Sequence, residues 1–371
     1  MPWLELSRYH PPALRGDDWV RLRPTLAGVC GTDMALLTGH ASAILSPFAS
    51  FPAVLGHEIV GIVETDGRRV VVDPIIGCVA RGLEPCRRCA AGQARFCERA
   101  TEGAISAGLL IGYCADLPGG WSDAMAVHRS QLHPVPDALT DEAAALVEPF
   151  SVALHAVLAR PPVAGQAVLV IGAGALGLLT VAALRLVAPE SEVVLLARHD
   201  RQRELGERLG ATVSPGGRGA AVNAARQHAE ARAHRSILGQ AVLTGGFAHV
   251  YDAVGTRESV ADALSVAGAG GRVVLVGGPA QLGGLDWTLA WARELRIDGT
   301  YVYGPEPSLS GAPHTMDEAI RLLTAHPELP IGEMVTHTFP LEEWRQAMRT
   351  VLRRARTGAI KVVFGAVAGQ A

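Results

Sequence analysis

Three short motifs place a thiolate, an imidazole and carboxylates where a zinc ion would suit them. Cys30 stands in AGVCGTD, with Thr32 two residues on. His57 and Glu58 sit in VLGHEIVG, between apolar strand-like runs. Glu148 lies in LVEPFSVALH, within a helix-like segment. Sulfur, imidazole nitrogen and carboxylate oxygen are ordinary zinc donors, and three protein ligands with one open position mark a catalytic rather than a structural site. Each residue alone has a commoner use, as a buried free cysteine, a core histidine or a capping glutamate. Their company favours the metal.

A second cluster is denser. The stretch GCVARGLEPCRRCAAGQARFC holds Cys78, Cys86, Cys89 and Cys97, four of the six cysteines. Four thiolates match a structural zinc site in ligand type and count. The alternatives are a degenerate lobe without metal and a redox C-x-x-C, the latter weakened by the absence of a strand–helix redox context.

Gly172, Gly174 and Gly177 form G-x-G-x-x-G, with Ala175 and Leu176 between the last two, after the strand-like AVLVIG and before the helix-like ALGLLTVAALRLVA. The first glycine allows the tight turn, the second lets a pyrophosphate approach the backbone and the third allows helix–strand packing; the phosphate meets the helix N-terminus. An NAD site usually has Asp or Glu about 20 residues on, for the ribose 2′-hydroxyl. Here EVVLLARHD puts Ala197 at that position, followed by Arg198 and His199. A small residue followed by Arg leaves room and charge for a 2′-phosphate, so NADP is favoured over NAD. Asp200 keeps NAD open if the strand ends later.

These groups need two kinds of scaffold. Residues 1 to about 150 alternate short β-branched runs (VRLRP, IVGIVET, RRVVVDP) with glycine- and proline-rich turns, a β-rich domain. TDEAAALVEPFSVALHAVLA follows as one helical segment. From about 163, apolar strands alternate with helices, the pattern of a parallel sheet covered on both faces. LRIDGTYVYG reads as its last strand, and 214–246 as a surface excursion of helix and loop. After about 304 come two helix-like segments and the strand AIKVVF.

Apolar residues are 49% of the 371, enough for large cores; a net charge of −3 leaves no basic footprint for nucleic acid. Lysine occurs once, at Lys361, against 32 arginines. No signal peptide is apparent and the cysteines are too few for a disulfide scaffold, so a cytoplasmic protein is expected. The uncharged run 167–184 reaches the lower length of a membrane span, but its glycines argue for a buried strand and helix instead.

The ordered motifs GVCGTD, GHEIVG, CRRCAAGQARFC, EPFSVALH and IGAGALG resemble the zinc-dependent medium-chain dehydrogenase/reductases, and nearly the whole chain takes part. The resemblance implies an α/β architecture: a GroES-like catalytic domain (1–152 and 301–371) interrupted by a Rossmann domain (153–300), with the active site in the cleft between them. It implies that Cys30 and His57 are zinc ligands, Glu58 a third or exchanging ligand, and Glu148 the further ligand, as in the polyol and sugar branches. Thr32 would hydrogen-bond the substrate hydroxyl and begin the proton path. Ala35 occupies the family's relay-histidine position, and His40 lies further on. The structural lobe usually reads C-x2-C-x2-C-x7-C; here Leu83 replaces the first cysteine, so a longer loop must bring Cys78 round. A small alcohol or carbonyl substrate and a homodimer or homotetramer are implied, the dimer with LRIDGTYVYG at its sheet edge. Trp121 either lines the cleft or packs in a core. A zinc-free quinone or enone reductase and a non-catalytic cofactor-binding protein are the rival readings.

Overall fold

The computed structural model describes residues 4–8, 10, 12–237 and 239–365. The chain divides into two compact units, one of Met1–Ser151, Tyr303–Pro327 and Ile331–Ala371, the other of Val152–Val302 and Glu328–Pro330.

The first unit is built round the strand Trp19–Gly28, which pairs antiparallel with Ile59–Val63, Met125–His128 and Lys361–Gly365. Ile59–Val63 continues to Arg69–Val72, and that strand to Leu132–Pro134. Val335–Phe339 runs parallel to Lys361–Gly365. Among the described residues this makes a seven-stranded sheet. Trp19, Leu22, Ile59, Val63, Val70, Val72 and Met125 fill one core. Ala27, Val29, Met34, Trp344 and Phe364 fill a second. Trp121 belongs to the latter: it is 7% exposed, its Nε1 donates to Gly28 O at 3.1 Å and its ring meets Phe364 edge-on. Its packing role is the one observed.

The second unit carries a six-stranded parallel sheet. Its strands are Val168–Ile171, Val193–Ala197, Thr212–Pro215, Phe247–Asp252, Ala267–Leu275 and Arg296–Gly299. Counted along the chain they lie in the order 3-2-1-4-5-6, the doubly wound arrangement. The strand Val193–Ala197 is buried at every residue, which is why it reads as an unbroken apolar run rather than an alternating one.

Three expectations about elements are corrected. The segment 140–159 is two helices, Asp141–Ala144 and Val147–Ala159. Pro149 lacks the N–H a continuous helix needs there, but fits the first turn of a new one. The excursion at 214–246 holds the end of a sheet strand, the helix Ala220–His228 and an antiparallel hairpin of Arg232–Arg235 with Ala241–Thr244. Arg232–Arg235 is exposed throughout, so no burial alternation marked it as a strand. LRIDGTYVYG is strand only over Arg296–Gly299; Val302, three residues on, has a positive φ of 44°, so the segment does not continue extended, and Tyr303 belongs to the first unit. The run 167–184 divides into the strand Val168–Ile171 and the helix Ala175–Val187, and among the described residues no helix is long and apolar enough to cross a membrane.

Candidate active site

The strand Trp19–Gly28 delivers Cys30 to the N-cap of the short helix Gly31–Leu37. The next strand over, Ile59–Val63, begins just after His57 and Glu58. Antiparallel pairing sets the two motifs side by side, with Gly28 N donating to Glu58 O at 2.8 Å. Gly28 has no room for a side chain: a Cβ there would fall 1.9 Å from Glu58 Oε2. Ligand atoms of Cys30, His57 and Glu58 all lie within 4.8 Å of one another.

Residues not singled out from the sequence complete this cluster. Asp33 is fully buried; its Oδ2 accepts from Cys30 N at 2.9 Å and its Oδ1 lies 3.4 Å from His57 Nδ1. That nitrogen is buried and makes no well-aligned hydrogen bond. Burial alone would push His57 down, but the Asp33 carboxylate and the Cys30 sulfur outweigh it and hold the imidazole well above its usual range. The Tyr113 hydroxyl donates to Asp33 Oδ1 at 2.7 Å, and Thr32 Oγ1 lies 3.1 Å from the same phenol oxygen. Lys361 Nζ donates to both Glu58 oxygens, at 2.7 and 2.6 Å, with both partners buried. The chain's one lysine therefore neutralises a carboxylate beside the candidate zinc ligands, and its rarity was the available signal for it.

Glu148 comes from the first turn of the helix Val147–Ala159 and is buried. Tyr303 donates to its Oε1 at 3.2 Å. Burial, with Glu58 adding to it, pushes this carboxyl up to about 7, against the pull of His57 and Lys361. Half-buried Cys30 with buried His57 and Glu58, the last paired with lysine, has the donor chemistry of a zinc site; Glu148 is outside the group within 4.8 Å but near enough to interact electrostatically with His57 and Glu58. The Asp33–His57 contact is the outer carboxylate that ligating histidines usually have. His40, by contrast, is exposed and bonds Thr38 Oγ1 at 2.9 Å, while Ala35 offers no polar group.

The four other candidate thiols also converge, with sulfur atoms within 4.8 Å of one another. Cys78 Sγ and Cys97 Sγ are 3.6 Å apart, close to the roughly 3.8 Å that tetrahedral bonds of 2.3 Å imply. All the cysteines are free thiols. Cys78 is brought round by a tight turn, Leu83 N donating to Cys78 O at 3.0 Å and Gly82 taking a φ of 68°. Arg81, inside that turn, is fully buried; its Nη1 donates to the carbonyls of Glu102, Ile105 and Ser106, and its Nη2 to Gly108. Leu83 thus marks a loop extension that keeps the fourth sulfur rather than losing it.

In the second unit, Gly172 follows the strand Val168–Ile171 with a φ of 96°, and Gly174 caps the helix Ala175–Val187. A Cβ on Gly177 would meet Gly172 O at 1.9 Å, whereas one on Gly174 would meet nothing within 4 Å. The loop is therefore tightly packed behind and open in front, with Ala175 and Leu176 half-buried at the helix start. The strand Val193–Ala197 ends on Ala197; Arg198 is exposed and His199 caps the helix Asp200–Arg208. Asp200 is the first residue of that helix and is paired with Arg203.

Residues 16–137 match the alcohol dehydrogenase GroES-like domain and residues 175–325 the zinc-binding dehydrogenase family. The chain belongs to the zinc-type medium-chain dehydrogenase/reductases. The dehydrogenase is 27% identical over 358 residues to an L-threonine 3-dehydrogenase of Anaeromyxobacter dehalogenans, an alignment covering 93% of this chain and 91% of the relative. A Sinorhizobium meliloti structure described as a zinc-binding dehydrogenase bound to NADP is 27% identical, with a TM-score of 0.72 over 95% of this chain and 94% of that one. Galactitol-1-phosphate dehydrogenase from Escherichia coli shares the fold at 22% identity, with a TM-score of 0.73 over 97% of this chain and 96% of that one.

Proposed function

We propose that this dehydrogenase reversibly oxidises a secondary alcohol of a polyol, sugar or threonine-like compound, with NADP favoured over NAD. The observation that carries this reading is the convergence of half-buried Cys30 with buried His57 and Glu58, with buried Glu148 electrostatically coupled to the latter two. Cys30, His57 and Glu148 would hold a catalytic zinc, with Glu58 exchanging. When bound, zinc supplies Lewis-acid activation of the alcohol oxygen, and the nicotinamide accepts the hydride.

The chain's own residues do the rest. Asp33 faces His57 Nδ1, so the proton stays on that nitrogen and Nε2 is left as the ligand atom. Lys361 holds Glu58 and cancels its charge, which lets a carboxylate wait beside the site at low cost. Thr32 Oγ1 is the exposed hydroxyl that would take the substrate's hydrogen bond. With Ala35 in place of a histidine, the phenol of Tyr113, 3.1 Å from Thr32 Oγ1, is the neighbouring group that could take the Thr32 proton as it gives its own to Asp33 Oδ1, 2.7 Å away.

Gly172, Gly174, Ala175, Leu176 and Gly177 would cradle the pyrophosphate. Ala197, Arg198 and His199 support NADP, because no carboxylate ends the strand and Asp200 is engaged with Arg203. Cys78, Cys86, Cys89 and Cys97 would hold a structural zinc. The exposed edge strand Arg296–Gly299 suits pairing in a homodimer or homotetramer. The deciding experiment is cofactor reduction by zinc-loaded protein against a panel of polyols, sugars and hydroxyamino acids, with each cofactor. Turnover that chelation abolishes supports the proposal. Metal-independent reduction of quinones or enones would replace it with the reductase reading, and cofactor binding without turnover with the binding-protein reading.

A further inference from the structure

A third cluster lies apart from both sets of cysteines. Asp73 follows the strand Arg69–Val72, His133 is the middle of Leu132–Pro134, and His314 caps the helix Thr315–Ala325. Strand pairing sets Val71 opposite His133, and the chain's returning segment adds His314. One ligand atom from each of Asp73, His133 and His314 lies within 4.8 Å of the others. Asp73 and His133 are buried and His314 is half-buried.

The polar contacts leave the right atoms facing inward. Asp317 Oδ1 lies 2.6 Å from His133 Nδ1. That bond keeps the proton on Nδ1 and the lone pair on Nε2, the carboxylate–histidine arrangement found behind metal ligands. Asp73 Oδ1 accepts from Ile75 N at 3.0 Å, while its Oδ2 is 3.6 Å from His314 Nε2, too long for a hydrogen bond. That spacing is near the roughly 3.4 Å edge of a tetrahedron with 2.0–2.1 Å bonds. The two imidazoles stack, with centroids 5.0 Å apart and planes 24° apart.

We propose that Asp73, His133 and His314 bind a divalent ion of the zinc, cobalt or nickel kind, with Asp317 orienting His133. Two imidazoles and one carboxylate suit those ions better than calcium or magnesium, which prefer all-oxygen shells. The ion would fasten the returning segment at His314 to the strands carrying Asp73 and His133. One contact is given up. Met316 N donates to His314 Nδ1 at 3.4 Å, and binding through Nε2 moves the ring proton to Nδ1. A bond that long is a small loss beside metal ligation.

The test compares full-length wild type with His314→Gln and Asp73→Asn, each equilibrated with excess zinc, desalted and analysed by elemental mass spectrometry. The expected result is one fewer zinc per chain in both variants, whatever the wild-type total. Asp317→Asn should keep the site with about 10–100-fold weaker affinity. Cobalt loading gives a readout independent of turnover: wild type should gain a nitrogen/oxygen-ligated band that His314→Gln lacks, with the thiolate charge-transfer bands unchanged. Equal metal content in wild type and in whichever variants fold overturns the proposal and leaves a hydrogen-bonded clasp. Because the comparison is a difference between variants, its outcome is separate from that of the alcohol-oxidation reading.

Discussion

At the scale of single residues, the most consequential group outside the candidate ligands is Lys361. It is buried, and it is the cation that both Glu58 oxygens face. Removing one partner of such a pair strands the other charge in a medium that solvates it poorly. Lys361→Met should lower stability by about 3–5 kcal/mol, measured by urea unfolding, and adding Glu58→Gln should restore much of that loss. Equal losses in the single and double variants would mean the pair contributes through packing rather than charge. Arg198 carries the cofactor preference in the proposed reading. Arg198→Ala should raise KM for NADP about tenfold or more, a change of about 1.4 kcal/mol, and leave KM for NAD nearly unchanged. Steady-state kinetics with both cofactors would show it; equal effects on the two would move the 2′-phosphate contact elsewhere.

At the scale of elements, the loop from Cys78 to Cys97 is where spacing and geometry come apart. The seven residues between Cys78 and Cys86 look like a disruption of the ligand pattern, yet the turn at Gly82 returns the chain and Arg81 ties it to four carbonyls. In the proposed reading, where each cluster holds a zinc, Cys78→Ser should release one zinc per chain and leave the other cluster of candidate ligands loaded. Elemental analysis with a retained catalytic zinc checks this, and undiminished zinc content would point to a lobe that holds none. Arg81→Met should cost about 2–4 kcal/mol, since it leaves several buried carbonyls without their donor. Thermal unfolding is the measurement.

At the scale of the whole molecule, two units with separate sheets share one chain, and their stabilities answer to different groups. In the second unit, Asp298 on the edge strand joins Arg160, at 2.8 Å, and Arg272. Burial would raise its carboxyl, but the two guanidiniums outweigh burial and hold it below the usual range. A lowered native value means its contribution is present above the ordinary carboxylate range and is lost as pH falls through the lowered value. Asp298→Asn should therefore be about 1–2 kcal/mol less stable at pH 7, between the surface and buried cases, with the gap closing below about pH 4. Denaturation at several pH values tests it; a gap independent of pH would assign the effect to hydrogen bonding alone.

Much of this protein is local in origin and so could be read along the chain. The glycine loop is legible because its strand, turn and helix are contiguous, and each glycine answers a local demand such as the φ of 96° at Gly172. The candidate ligands Cys30, His57 and Glu148 are legible because their side-chain chemistry shows before their positions do. Tertiary structure decided what depends on distant partners. Asp33 and Tyr113 matter through contacts across strand pairing and a long loop, and Lys361 reaches Glu58 across 303 positions. His133 and Asp317 meet across 184, and no periodicity encodes such a meeting. The exposed hairpin strand Arg232–Arg235 escaped notice for the converse reason: hydrophobic patterning records burial, and that strand has none.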